Sequence, residues 1–517
     1  MGRTVTTETI VLWACVAFIV IAGIAPIAVM VIDSLFENGQ VSLGYYRELI
    51  NAARFRPLLG NSVRLALATT VVCGVLGVPA GVLFAKSDLP LRSAFLWVLT
   101  VPFVLPPYFM ALGWLRLIAH AGWLGSSWLF GFGGCVLVLS SVFLPMTILL
   151  TLASCWSVDR RLEEAARIVS SWPRVLGKVT LPLAAPGIVF SLVLVFLLSI
   201  GEFSVPNFLR YPVLPVLSFT QFASSYNFGA ATAAAVPLVL IALAGVFIES
   251  GFLKDNVYAF RSTGQTLTVP LERWKAAFMI GLSTLCAALV VLPLGALFAD
   301  AFSMDAFSEA IQRGRSSIVR SVVYSSAAAT ILMSFGFLFG HFMLSRGRRA
   351  LNILTLVLFA IPGTVLSIGL VRLWNTSATW FVYTTPAVLI LGYAAQYCAV
   401  TTRLSLAGLL QIPSSFNESA QLSGAKWMKR LARISVPLSK RTLACSWLAA
   451  YILCLRDVPI ALMTAPPGYD PLPARILTLM ANGAPPMISA LCLIMASASL
   501  FPLFILARSL RSSHASR

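Results

Sequence analysis

Long apolar runs alternate with short polar or basic connections along the whole chain. A helix needs about 20 apolar residues to cross roughly 30 Å of hydrocarbon at 1.5 Å per residue. Runs of that order predict spanning helices near 10–32, 61–85, 93–118, 128–152, 185–201 and 230–250. A second set follows near 276–299, 318–344, 351–371, 384–402, 442–465 and 485–507. The pattern predicts an all-α polytopic membrane protein with about twelve transmembrane helices. Prolines break it in two places, Pro206, Pro212 and Pro215 in one and Pro459, Pro466 and Pro467 in the other, so helix ends are expected there. The first run is too long for a signal-peptide core and lacks a small-residue cleavage site, so it is expected to remain as a span.

Charge assigns the sides. With the amino terminus placed inside, the inner segments hold every lysine and most arginines, including Arg160, Arg161, Arg167 and Arg174 in one loop and Arg430, Arg433 and Arg441 in another. The positive-inside rule then expects both termini in the cytoplasm. That asymmetry accounts for the net charge of +19, which in a soluble protein would point to nucleic acid. A composition of 59% hydrophobic and 11% charged residues excludes an ordinary soluble enzyme, where about a quarter of residues are charged. The nine cysteines lie mostly inside apolar runs, which reads as small membrane residues and not as disulfides or metal ligands.

The two sets of spans follow one plan. Asn61-Ser62-Val63 and Arg320-Ser321-Val322 each lead into a span rich in small residues, a short basic loop, and a span carrying Val101-Pro102 or Ile361-Pro362. An even number of spans per unit makes this a parallel repeat. The expected units are 1–253 and 274–517, six helices each, joined by a polar cytoplasmic linker at 254–273. Matching inner loops, near 159–183 and 413–438, sharpen the repeat. One contains Glu164-Ala165-Ala166, the small pair Ser170-Ser171 and Leu181-Pro182; the other contains Glu418-Ser419-Ala420, the pair Gly424-Ala425 and Val436-Pro437. The glutamate suits a helix N-terminus, small residues leave a face that another surface can approach, and the proline marks the next helix entry. Two copies at matching places point to a protein contact, whereas an amphipathic helix resting on lipid would not need a pair.

At these residues the chain resembles the permease subunits of ATP-binding-cassette importers, whose hallmark is an E-A-A loop with a following glycine and a closing Leu-Pro. The likeness covers the chain once per half, and the chain resembles the fused permeases of the ferric-iron and thiamine class. Ser419 and Ser170 depart from the pattern, and Ser170 in the glycine position implies a different turn. The resemblance implies the type I importer permease fold in a bacterial inner membrane. Two copies of a cytoplasmic ATPase would grip the loops and bind ATP and Mg, and a periplasmic or lipid-anchored solute-binding protein would dock outside. Transport would follow alternating access, with no cofactor in this chain. The chain itself carries no G-x-x-x-x-G-K-[ST] phosphate loop, so it is not expected to hydrolyse nucleotide.

Charges within spans are costly and so become pathway candidates. Glu202 precedes Pro206, and Arg456-Asp457 precede Pro459, at equivalent places after the two loops. These residues are expected to line a gate or cavity where helices break. Alternatively, the arginine and the acids clamp the broken helices together. The resemblance implies ferric iron as first substrate, with thiamine, phosphonate, polyamine or another small solute as alternatives. His120, His341 and His514 are too scattered to make a metal site. A gradient-driven secondary transporter is the rival function, but it needs more intramembrane carboxylates than occur here and leaves the paired loops without a purpose. A membrane-embedded enzyme would need a paired His or Asp motif, which is missing.

Overall fold

Inside hydrocarbon no water is available to backbone amides and carbonyls, so each spanning segment must close its own hydrogen bonds. The computed structural model describes residues 7–37, 39–121, 126–252, 267–345 and 348–515, and they are almost wholly helical. Most of the expected linker 254–273, residues 254–266, lies outside the described residues. The first half contains α1 (Thr7–Ser34), α2 (Phe55–Lys86), α3 (Arg92–Val104), α4 (Pro107–Ala121), α5 (Phe132–Trp156), α6 (Arg160–Val169), α7 (Trp172–Ile200), α8 (Ser204–Phe208), α9 (Leu214–Ser225) and α10 (Phe228–Phe252). The second repeats that order as α11 (Glu272–Ala301), α12 (Met304–Ser345), α13 (Arg348–Ala360), α14 (Gly363–Trp374), α15 (Ala387–Leu409), α16 (Ser414–Leu422), α17 (Lys440–Arg456), α18 (Pro459–Thr464), α19 (Leu472–Leu479) and α20 (Pro485–Ala515).

Among the described residues nine helices are long and apolar enough to cross a membrane, and two bent pairs raise that to eleven. The bends change two predicted spans. The stretch 93–118 is α3 and α4 turned by 104°, and 351–371 lies in α13 and α14, turned by 95°. The cause is proline: Pro106-Pro107 and Pro362 remove amide donors and force the preceding residue out of helical geometry. The expected span 442–465 is likewise split, with 17-residue α17 ending at Arg456 and α18 starting at Pro459.

Proline also explains a finer feature. Among the described residues four π-helical turns, Val20–Ile24, Leu176–Thr180, Ala287–Val291 and Leu431–Ser435, each end two residues before a proline. A proline cannot donate, and its ring crowds the carbonyl four residues back, which here lies inside the widened turn. Three of these turns sit in α1, α7 and α11, the fourth where the second inner loop returns to α17.

Close helix contacts rest on glycines spaced by four. Gly77 and Gly81 on α2 face α5, where an added Cβ would come 2.9 Å from Thr147 and 2.7 Å from Thr151. Gly336 and Gly340 on α12 meet Thr401 and the Thr402–Leu406 backbone of α15 in the same way, at 2.6 and 3.1 Å. Such small-residue ridges let helix backbones approach where lipid offers no hydrophobic drive. The repeat extends to single bonds. Ser62 Oγ accepts the Leu214 amide, 152 residues on, at 2.9 Å, and Ser321 Oγ accepts the Leu472 amide, 151 residues on, at 2.5 Å.

The first helix of each half crosses to the other half. α1 packs on α14, where a Cβ on Gly369 would lie 2.6 Å from the Pro26 carbonyl; α11 packs on α4, where one on Gly113 would lie 2.6 Å from the Pro293 carbonyl. Paired charges close both contacts, Arg372 with Asp33 and Arg116 with Asp300 at 3.1 Å. The largest buried cluster accordingly mixes Ile19 of α1 with Phe335 and Tyr393 of the second half. The glycine ridges yield a stability test. Gly81→Ala places a methyl against the Ile148 carbonyl at 2.8 Å and is expected to cost about 1–3 kcal/mol. Gly60→Ala on the same helix meets nothing within 4 Å and should leave the melting temperature of the detergent-solubilised protein unchanged or raised.

Candidate functional site

Two places bring the candidate residues together. The first is the pair of inner loops. Asp159 caps α6 by accepting the Arg161 amide at 2.9 Å, which fixes where the helix starts. From that start the two adjacent glutamates point apart. Glu164 is half-exposed and pairs with Arg160 one turn back at 2.6 Å. Glu163 is buried, 2.8 Å from the Lys86 ammonium at the end of α2, and its other oxygen accepts the Thr180 hydroxyl at 2.7 Å. The outer face of α6 shows Leu162, Ala165, Ile168 and Val169 to solvent, the last two 86% and 81% exposed.

The second loop has the same outline with different fittings. Glu418 and Ser419 lie exposed on α16, Ala420 is partly covered, and Phe416 and Leu422 stand out, Leu422 at 91% exposure. Ser170 takes an extended conformation, whereas Gly424 has φ of +76°, a left-handed turn that a side chain would strain. The serine-for-glycine difference therefore gives different turns. Ser171 stands in extended conformation just ahead of the helical turn at Trp172, without a side-chain capping bond, and Ala425 lies just past the glycine turn in the second loop. Pro182 and Pro437 each open the helix beyond a π-helical turn. In the second loop a ring stack replaces the buried ion pair: Trp427 donates to His341 at 3.2 Å and lies parallel to Phe342.

The second place is a cavity of about 100 Å³ between the halves, with Gly201, Glu202 and Ser204 on one side and Gln396, Tyr397, Arg456, Asp457 and Pro459 on the other. Its size admits several waters, each needing about 10–15 Å³ of such space. Pro206 sits inside α8, off the cavity wall. The acids act as helix caps. Glu202 Oε1 accepts the Ser204 amide at 2.8 Å and its hydroxyl at 2.5 Å, and Asp457 Oδ1 accepts the Ile460 amide at 2.8 Å. They satisfy the amides that α8 and α18 expose by starting within the protein.

Arg456 does not clamp the acids. Its guanidinium donates to the Phe103 carbonyl, at the bend of α3 in the other half, and lies over the Phe103 ring at 4.8 Å. Among the described residues no ion pair joins it to Glu202 or Asp457. Three cavity features escaped the sequence reading. Tyr397 donates to Asp457 Oδ2 at 2.6 Å, Gln396 donates to the Phe359 and Ile361 carbonyls freed at the second bend, and the buried Gln396 Oε1 meets no partner among the described residues. Both side chains lie on α15, where polar residues amid an apolar run were the available signal. Among the described residues no group of three His, Cys, Asp or Glu is placed to hold a metal ion.

The caps predict a chemical asymmetry. Glu202→Gln and Asp457→Asn keep an oxygen acceptor for the free amides and should retain the thermal stability of the parent. Glu202→Ala and Asp457→Ala lose it and should each cost about 1 kcal/mol in denaturant or thermal unfolding.

Comparison with known proteins fits this geometry. Residues 77–253 and 332–513 each match the family described as binding-protein-dependent transport system inner membrane component, so the family unit occurs once per half. The chain is 21% identical over 463 residues to the ferric transport system permease protein FbpB of Actinobacillus pleuropneumoniae, covering 81% of this chain and 67% of the relative. It is 23% identical over 438 residues to the FbpB 1 protein of Haemophilus influenzae, also named for ferric transport, covering 76% and 68%. A shorter match, 31% over 159 residues, covers 28% of this chain and 68% of the molybdenum transport system permease protein ModB of Escherichia coli K12. Matched by the same unit in each half, over most of its length, the chain belongs to the family of inner-membrane components of binding-protein-dependent transport systems.

Proposed function

We propose that this chain forms the two-lobed pathway of an ATP-driven importer, with α6 and α16 as the docking points for two copies of a separate cytoplasmic ATPase. One observation carries that reading. Each half presents a short helix outside the spanning segments, followed by a sharp turn, with large apolar residues held out in solvent: Ile168 and Val169 on one, Leu422 on the other. Exposed apolar residues on a polar, basic segment mark a surface that something covers. The units would be 1–253 and 274–517, with the loop face and both termini cytoplasmic and a solute-binding protein docking opposite. ATP and Mg would be bound by the partner subunit, and a permease of this family is not an enzyme by itself. Closure of the ATPase pair would move α6 and α16 together and tilt the halves to alternate the cavity between the two sides.

Ferric iron is the first substrate in this proposal, supported by the two relatives named for ferric transport. The cavity offers Glu202 and Asp457 to a passing cation without a closed ligand set, which suits transit more than storage. An oxyanion is the second reading, favoured by the Arg456 guanidinium in the same wall and by the ModB relative.

Two measurements test these readings. The double variant Glu164→Arg with Glu418→Arg should reduce co-purification of the ATPase by at least about tenfold, because like charges would replace attraction on the docking face. Unchanged assembly and transport would remove the docking role. For substrate, intact transporter in cells should accumulate labelled ferric iron and leave labelled molybdate outside; the reverse result would install the oxyanion reading.

A further inference from the structure

The two levers of the proposed importer are anchored by different chemistry, and one anchor reaches beyond its own loop. Lys86 is the last residue of α2. Its ammonium lies 2.8 Å from Glu163 on α6, and both side chains are almost fully buried, at 3% and 2% exposure. The second Glu163 oxygen takes the Thr180 hydroxyl, at the π-helical turn within the first part of α7. A single carboxylate thus joins α6 to the end of α2 and the start of α7.

The backbone of the same lysine holds the chain that enters the second half. The Val269 amide donates to the Lys86 carbonyl at 2.6 Å, and Asp88 accepts the Leu271 amide at 3.0 Å and the Lys275 ammonium at 2.7 Å. Lys275 lies in α11, which crosses to pack on α4. The Lys275 ammonium holds the Asp88 carboxyl below its ordinary range, so this outer tie persists at neutral pH and weakens only in acid. A push on α6 therefore meets α2 through the Lys86 side chain and α11 through the Lys86 backbone. Among the described residues the second lever shows no such node: Glu418 is exposed, and the loop is held by Trp427 against His341 and Phe342.

We infer that Lys86, through its buried pair with Glu163, is a positioning residue that makes α6, α2 and the entry to α11 move as one body, so that partner hydrolysis is converted into transport. This inference rests on the docking role proposed for α6. A buried ion pair needs both members, since removing one strands a charge out of water, whereas the pair itself contributes modestly against apolar replacements. Loss of coupling, more than loss of assembly, is thus the expected defect.

The test uses the full permease with its ATPase and loaded binding protein in proteoliposomes, read as substrate moved per ATP hydrolysed. Lys86→Met should lower that ratio at least fivefold while the ATPase still co-purifies. The charge-exchanged variant, Lys86→Glu with Glu163→Lys, should recover half or more of the loss. A wild-type ratio in Lys86→Met overturns the inference. So does a charge-exchanged variant that melts like the parent yet recovers nothing. Should Lys86→Met fail to fold, the exchanged variant decides alone: restored folding with a restored ratio supports the pair, and restored folding with an uncoupled ratio rejects it. If the parent chain does not bind an ATPase at all, the docking reading fails; if it binds and transports normally while Lys86→Met is silent, only the positioning role does.

Discussion

A helix that starts or stops inside hydrocarbon leaves backbone groups with nothing to bind, and the architecture of this protein follows from how those groups are satisfied. Helices break at equivalent places in both halves, at Gly201–Glu202 and Arg456–Asp457, and again at the bends near Leu105 and Ile361. At each site a polar side chain takes up the loose ends. Glu202 and Asp457 accept amides, while Arg456 and Gln396 donate to the carbonyls of Phe103, Phe359 and Ile361. The cavity is the space these four breaks leave between them. Its charged lining is thus first a structural requirement, and its availability to a travelling ion is a consequence.

This changes how intramembrane charges are weighed. Charge within a span normally signals a pathway. Here the same atoms do both jobs, since Glu202 and Asp457 each commit one oxygen to capping. Asp457 commits its second oxygen to Tyr397 as well, which leaves Glu202 as the acid with the freer carboxylate in the cavity wall. A neutral amide keeps the cap but removes the charge, so the two contributions are separable in a way that alanine replacement would hide.

Much of this could be read from residue order. Spans, repeat and loops follow from hydropathy, proline and small-residue spacing, because those features act locally. The right-angle bends at Pro106-Pro107 and Pro362 were less legible: the prolines were visible, but hydropathy is blind to a change in direction. The crossing of α1 and α11 to the opposite halves was hidden for a different reason. It is set by Gly113 facing Pro293 and Gly369 facing Pro26, contacts between residues far apart in sequence that neither partner announces. In the first loop the pattern singled out Glu164, which is exposed. Its neighbour Glu163 is the buried one, because helix phase set by the Asp159 cap turns it towards Lys86. A lysine at the end of a span reads as ordinary inner-side charge until its partner is known.

The repeat is most informative where it fails. Ser62 and Ser321, the glycine ridges, and the Arg–Asp contacts of α1 and α11 occur twice, as a shared scaffold would require. Arg456 stands where the first half has Gly201, just ahead of the capping acid. The buried Lys86–Glu163 pair faces an aromatic stack across the loop plane, and Ser170 faces a left-handed Gly424. A homodimer would be bound by symmetry to use one surface patch in both subunits. Two copies in one chain are free of that constraint, so one half can supply the cavity's cation while the other supplies the charged anchor. The fused chain thus divides between its halves tasks that an identical pair would have to duplicate. Its asymmetry falls at the places where substrate and motor are expected to make contact, leaving the shared helix packing alike.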